Sequence, residues 1–117
     1  MFSLGIATYD DYDGLYFTVQ SVRMYHPLVT EIIIIDNNPD SKFGKCNKTL
    51  QTESTSNCII KYVPYTEKKS TTIKGEAFKH ATNEYVIICD SHILFPLNSI
   101  NCLKDYYDNH HKPYDFI

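Results

Sequence analysis

Glu31-Ile32-Ile33-Ile34-Ile35-Asp36 sets four consecutive isoleucines between two acids. Side chains alternate between the two faces of a strand, so an apolar run without alternation predicts a strand covered on both sides. Strands of that kind belong to parallel sheets, whose crossover helices pack on either face. Upstream, Phe2 to Thr8 reads as a short strand, and Leu15, Val19, Val22 and His26 recur at spacings of three and four, as on one helix face. Asp11 or Asp13 is a candidate N-cap for that helix, and Pro27 follows its end. Downstream, Asn37-Asn38-Pro39-Asp40-Ser41 is turn chemistry. Residues 42 to 57 are polar, with one weak helix over Lys45 to Thr52. Cys58 to Val63 reads as a third strand and Tyr85 to Cys89 as a fourth. Between them Ile73, Ala77, Phe78 and Ala81 share a face of a helix over Thr72 to Thr82. Leu97, Ile100, Leu103 and Tyr107 mark a last helix, and Asp115-Phe116-Ile117 resembles the start of another strand. This alternation predicts one α/β domain over residues 1–117, a doubly wound, mainly parallel sheet with helices on both faces.

Composition narrows the function classes. The net charge is −3 and only Lys68-Lys69 are adjacent lysines. Nucleic acid and anionic membrane surfaces therefore lack an electrostatic basis as partners. The cysteines at 46, 58, 89 and 102 have no zinc-knuckle or redox spacing, which predicts reduced thiols in a cytoplasmic setting. The apolar runs are about five residues at most, too short for a transmembrane segment, and Met1 leads into Phe2-Ser3-Leu4 without a charged leader.

Three predicted strands end in polar groups: Thr8-Tyr9-Asp10, Asp36-Asn37-Asn38 and Asp90-Ser91-His92. Doubly wound sheets bind ligands beyond the carboxyl ends of their strands, so this convergence marks a candidate site. Asp90 and His92 lie two apart on an extended segment and can reach one side together. A carboxylate and an imidazole suit a divalent ion such as manganese, with diphosphate oxygens and water completing the shell. The plainer reading is a turn-capping Asp90 and a surface His92. Asp36 and Asn37 are read equally well as acceptors for a nucleobase or ribose and as turn initiators ahead of Pro39. Asp10, Asp11 and Asp13 lack the ligand spacing of a calcium loop and read as helix capping and solvation. Lys74 near a helix N-terminus can meet a phosphate, although a solvated lysine is the commoner role. His110-His111 reads as a helix end. No P-loop, dinucleotide fingerprint, nucleophile elbow or H-E-x-x-H is present.

In order and spacing these pieces resemble the family 2 glycosyltransferases of the GT-A fold. Gly5-Ile6-Ala7-Thr8-Tyr9-Asp10 is similar to their opening strand and loop, and Glu31 to Asn38 to their second strand with its acidic pair. Asn83 to His92 resembles the segment ending in their Asp-x-Asp metal motif, in the Asp-Ser-His form of polypeptide N-acetylgalactosaminyltransferases. The likeness runs over residues 3 to 117. It implies the nucleotide-sugar-binding half of a GT-A enzyme, with Mn²⁺ or Mg²⁺ on Asp90 and His92. It further implies a nucleotide-diphosphate sugar, a UDP-sugar foremost, contacted by Ala7, Thr8, Tyr9, Asp36, Asn37, Lys74 and Ser91. Asn37 stands where the family's second acid contacts uracil, and Lys74 where relatives carry an arginine. Family members are much longer, and their second half supplies the acceptor site and general base. On this reading the chain is a donor domain without its general base. The alternative is a truncated, non-catalytic nucleotide-sugar-binding module that needs a partner chain. A sheet cut at Asp115-Phe116-Ile117 is expected to leave an uncovered edge through which the chain self-associates.

Overall fold

In a computed structural model of the chain, Ile32, Ile33 and Ile34 are wholly buried and Ile35 nearly so. The structure describes residues 1–66 and 72–110, with the side chains of residues 72–74 and of residue 110 outside that description. Burying one such side chain stabilises the fold by about 1.5–3 kcal/mol, so this strand is the natural spine. It forms β2 (Val29–Asp36), flanked by β1 (Phe2–Thr8) and β3 (Ile59–Pro64), while β4 (Tyr85–Asp90) lies on the far side of β1. The strand order is β3-β2-β1-β4 and all three pairings are parallel. The chain steps outward from β1 through β2 to β3, then returns past β1 to add β4. The order therefore reverses between β1 and β4.

The helices are α1 (Asp13–Tyr25), α2 (Lys42–Lys48) with a 3₁₀ turn over Thr49–Glu53, α3 (Thr72–His80) and α4 (Ser99–His110). One face of the sheet, with Leu4, Ile6, Ile32, Ile34, Ile60 and Ile87, packs on Leu15, Val19 and Val22 of α1, Leu50 and Ile100. The other face meets α3, where Ala77 joins Ile33 and Ile35. Both faces are thus covered, as the isoleucine run predicts. The expected strand at Asp115-Phe116-Ile117 lies outside the described residues.

Most boundaries moved by one or two residues, and two of the helix starts show why. α1 starts at Asp13 without a side-chain cap from Tyr12; instead Asp11 Oδ1 accepts from the Gly14 amide at 3.0 Å. The weak helix begins earlier than its sequence signal, because Ser41 Oγ accepts from the Gly44 amide and caps it. Its inward side is Gly44, Asn47 and Leu50, of which only leucine registers as apolar.

α3 approaches the sheet closely over Gly5, where an added Cβ would stand 2.4 Å from Ala77 Cβ. Gly5→Ala is expected to cost about 1–3 kcal/mol through forced displacement of α3. Urea unfolding measures it, and wild-type stability would contradict this packing.

At the amino end of the sheet Glu31 is only 4 % exposed. Its carboxylate accepts from Ser3 Oγ at 2.6 Å, from the Thr82 amide at 2.9 Å and from Thr82 Oγ1 at 3.0 Å, and it pairs with Lys61 Nζ at 2.6 Å. Lys61 also donates to the His80 carbonyl. This network ties the end of α3 to the sheet before the chain enters β4. Burial alone would raise the Glu31 carboxyl; Lys61, Ser3 and Thr82 outweigh it and hold the pKa at about 2.

Candidate functional site at the carboxyl edge

Strand register brings the predicted polar tips together. Thr8 pairs with Asp36 across β1 and β2, and Ala7 pairs with Asp90 across β1 and β4. Ala7, Thr8, Asp36, Asn37, Asp90 and Ser91 therefore share one edge, at the point where strand order reverses. That is the ligand-binding position of an open α/β sheet. Tyr9, Asp90 and His92 are exposed there, whereas Thr8, Asp36, Asn37 and Ser91 are buried. α3 ends against Glu31 and Lys61 at the opposite edge, so its first turn, which includes Lys74, lies on the carboxyl side. The Lys74 side chain lies outside the described residues.

The buried residues build the floor. Asp36 has no solvent exposure. Its Oδ1 accepts from the Asn38 amide at 2.9 Å, and its Oδ2 from Tyr62 Oη at 2.7 Å and from Asn47 Nδ2 at 3.5 Å. Burial, and then the Asp36 carboxylate, push the Tyr62 phenol far above its usual range, so it stays a donor at any physiological pH. Asn37 donates its amide N–H to the Thr8 carbonyl and its Nδ2 to the Tyr65 carbonyl. The tips of β1, β2 and β3 are thereby locked as one surface.

β1 leads into a reversal at Asp10, whose φ of 53° is left-handed, a conformation Asp tolerates better than most residues. The reversal turns Asp11 back over the start of α1. Thr8 Oγ1 and Asn47 Nδ2 both donate to its carbonyl, at 3.2 Å each. Its second carboxylate oxygen accepts from Ser91 Oγ at 2.7 Å. Gly14 leaves room for this carboxylate, since a Cβ there would sit 2.4 Å from Asp11 Oδ2 and push it aside. Asp11 thus links the loop after β1 to the loop after β4, which is more than capping and solvation.

Two hollows flank the edge. One, of about 240 Å³, lies between Gly14, Phe17 and Thr18 on α1 and His92, Ile93 and Leu94 after β4. The other, of about 520 Å³, lies beside the β2 and β3 tips among Pro39, Asp40, Lys45, Lys48, Gln51, Tyr62 and Pro64. Among the described residues no three His, Cys, Asp or Glu side chains stand grouped for a metal ion. Asp90 and His92, both exposed at the switch point, could offer a cation at most two protein donors, and a ligand's own oxygens would have to fill the remaining positions. That donor set fits a cation bound together with a diphosphate and does not fit a closed structural site.

Asn47, Tyr62 and Thr18 were missed as site-building residues in the sequence. Asn47 sits in a polar stretch where only the three-residue spacing Gly44, Asn47, Leu50 gives any signal. Tyr62 and Thr18 look like ordinary strand and helix residues.

Solved structures share this architecture. The mannosyltransferase PcManGT from Pyrobaculum calidifontis, in complex with GDP-Man and Mn²⁺, superposes with a TM-score of 0.76 at 16% identity, over 91% of this chain and 32% of that one. S. aureus TarS 1-349 gives a TM-score of 0.73 at 16% identity, over 94% and 33%. Its complex with UDP gives 0.74, also at 16% identity, over 94% and 32%. The chain spans about a third of the length of these structures. No curated protein matches it by sequence. Among the described residues no helix is long and apolar enough to cross a membrane. The family model for glycosyl transferase family 2 matches residues 3–114, and with the GT-A sheet beneath it the chain belongs to that family.

Proposed function

We propose that this domain binds a nucleotide-diphosphate sugar, a UDP-sugar foremost, together with Mn²⁺ or Mg²⁺, as the donor half of a glycosyltransferase. The observation that carries the reading is the meeting of the β1, β2 and β4 tips at the reversal of strand order. PcManGT holds GDP-Man and Mn²⁺ and TarS holds UDP on the same fold, which supports it. Asp90 and His92 would hold the cation. When bound, it supplies positive charge against the departing diphosphate. Tyr9 offers an exposed aromatic face to the base, beside Ala7 and Thr8. Asn37 supplies amide chemistry at the nucleoside, and Asp36 keeps that floor rigid through Tyr62 and Asn38. Ser91 holds the backbone between the two metal donors, and Lys74 adds positive charge from the first turn of α3. The acceptor and general base are assigned to no residue of this chain.

Calorimetry with UDP tests this directly. Binding is expected with Mn²⁺ and is expected to collapse when a chelator removes the ion. Absence of heat for every nucleoside diphosphate, with Mn²⁺ or Mg²⁺ present, would overturn it. Light scattering on the same samples reads the proposed self-association, which a monomer at all concentrations would exclude.

A further inference from the structure

The segment after β4 is laid along α1 by polar contacts that neither helix formation nor core packing requires. Asp11 accepts from Ser91 Oγ at 2.7 Å. Thr18 Oγ1, only 2 % exposed as a residue, lies 2.8 Å from the Ser91 carbonyl and 3.0 Å from that of Ile93. At the end of α1, His26 Nε2 stands 3.2 Å from the Phe95 carbonyl. A carbonyl only accepts, so the ring carries its hydrogen on Nε2. The His26 and Phe95 rings also meet edge to face, with centroids 6.0 Å apart.

Ser91 and His92 form a turn directly after β4, and residues 93 to 95 continue without regular structure. The single Thr18 hydroxyl reaches the carbonyls on either side of His92, and the His26 ring meets that of Phe95 farther along. Ser91 is buried, His92 exposed, Ile93 half-buried, Leu94 exposed and Phe95 half-buried. The helix contacts thereby decide that His92 faces out of the fold beside Asp90.

We propose that Thr18 and Asp11, backed by His26, are positioning residues for the His92 imidazole. They fix the backbone on both sides of it and so pre-align the pair Asp90 and His92 for one cation. This inference rests on the metal reading above. A residue that orients a ligand from behind in this way typically alters metal affinity by about 10–100-fold. Thr18 is buried and its hydroxyl is spent on the loop carbonyls, so its effect should travel through the loop alone.

The experiment compares Thr18→Val, Thr18→Ser, Asp11→Ala and His92→Ala. Mn²⁺ binding in the presence of UDP is followed by electron paramagnetic resonance. Amide exchange over residues 91–95 is measured without metal. Thr18→Val keeps the shape and loses the donor; it should weaken Mn²⁺ binding about tenfold and speed exchange in the loop. Thr18→Ser restores the donor and should return both readouts to within about threefold of wild type. Asp11→Ala should weaken Mn²⁺ binding in the same direction, and it remains a test if Thr18→Val fails to fold. If His92→Ala weakens the ion while Thr18→Val and Asp11→Ala bind it as wild type does, positioning is wrong and the metal site stands. Equal losses in Thr18→Ser and Thr18→Val would also overturn the proposal, since packing rather than the hydroxyl would then matter. Unchanged binding in His92→Ala removes the metal reading and this inference with it.

Discussion

Replacing Asp90 and His92 together by alanine is expected to lower metal-dependent UDP affinity by at least about 100-fold, beyond the range seen for residues that only orient a ligand. On the proposed reading these two hold the cation on the protein side, and among the described residues no three His, Cys, Asp or Glu side chains stand grouped for one. A cation retained by the diphosphate alone would have no anchor on the protein. Stability should barely change, because both side chains are exposed. Surface substitutions of this kind stay within about 0.5 kcal/mol, which is a few degrees in the midpoint of a domain this size. Calorimetry with and without Mn²⁺, beside thermal unfolding, separates the two effects. Unchanged metal-dependent affinity would remove Asp90 and His92 from the site.

The second large effect concerns the opposite edge of the sheet. Glu31→Gln keeps the shape and the Ser3 and Thr82 neighbours but removes the charge that Lys61 faces. It is expected to destabilise the fold by about 3 kcal/mol, at the lower end for breaking a buried ion pair. The pH dependence has a definite sign. Glu31 titrates near 2 in the folded chain against an ordinary 4.5, so the unfolded chain binds its proton first on acidification. Its contribution is complete above about pH 4.5 and fades as the pH falls toward 2, amounting to about 3 kcal/mol. Urea unfolding of wild type and Glu31→Gln at several pH values isolates that share, since other carboxylates titrate in both. The curves should converge as pH falls through the window. A constant gap between them would show that the Glu31 charge contributes nothing.

What could be read from the residue order follows from how local each signal is. β2 was plain because four isoleucines leave no polar face, and α1 because Leu15, Val19 and Val22 repeat at helical spacing. The polar tips at Thr8, Asp36 and Asp90 were visible as abrupt ends of apolar runs. α2 was half visible, because its inward face is glycine, asparagine and leucine and gives little periodic signal. Glu31 passed as a strand boundary. Its burial depends on Ser3, Lys61 and Thr82 arriving from three other segments. Asp11 passed as a cap, although its second oxygen serves a serine 80 positions away.

By itself, then, the sequence determined the main elements, the parallel α/β class and the three polar strand ends. Partition of side chains between water and interior acts over a few neighbouring residues, and its period is written along the chain. Only the tertiary structure decided the order β3-β2-β1-β4, the close seat of α3 over Gly5, and the facing of His92 against Ser91. Those depend on hydrogen bonds and contacts between distant segments, whose partners exist only once the sheet has assembled.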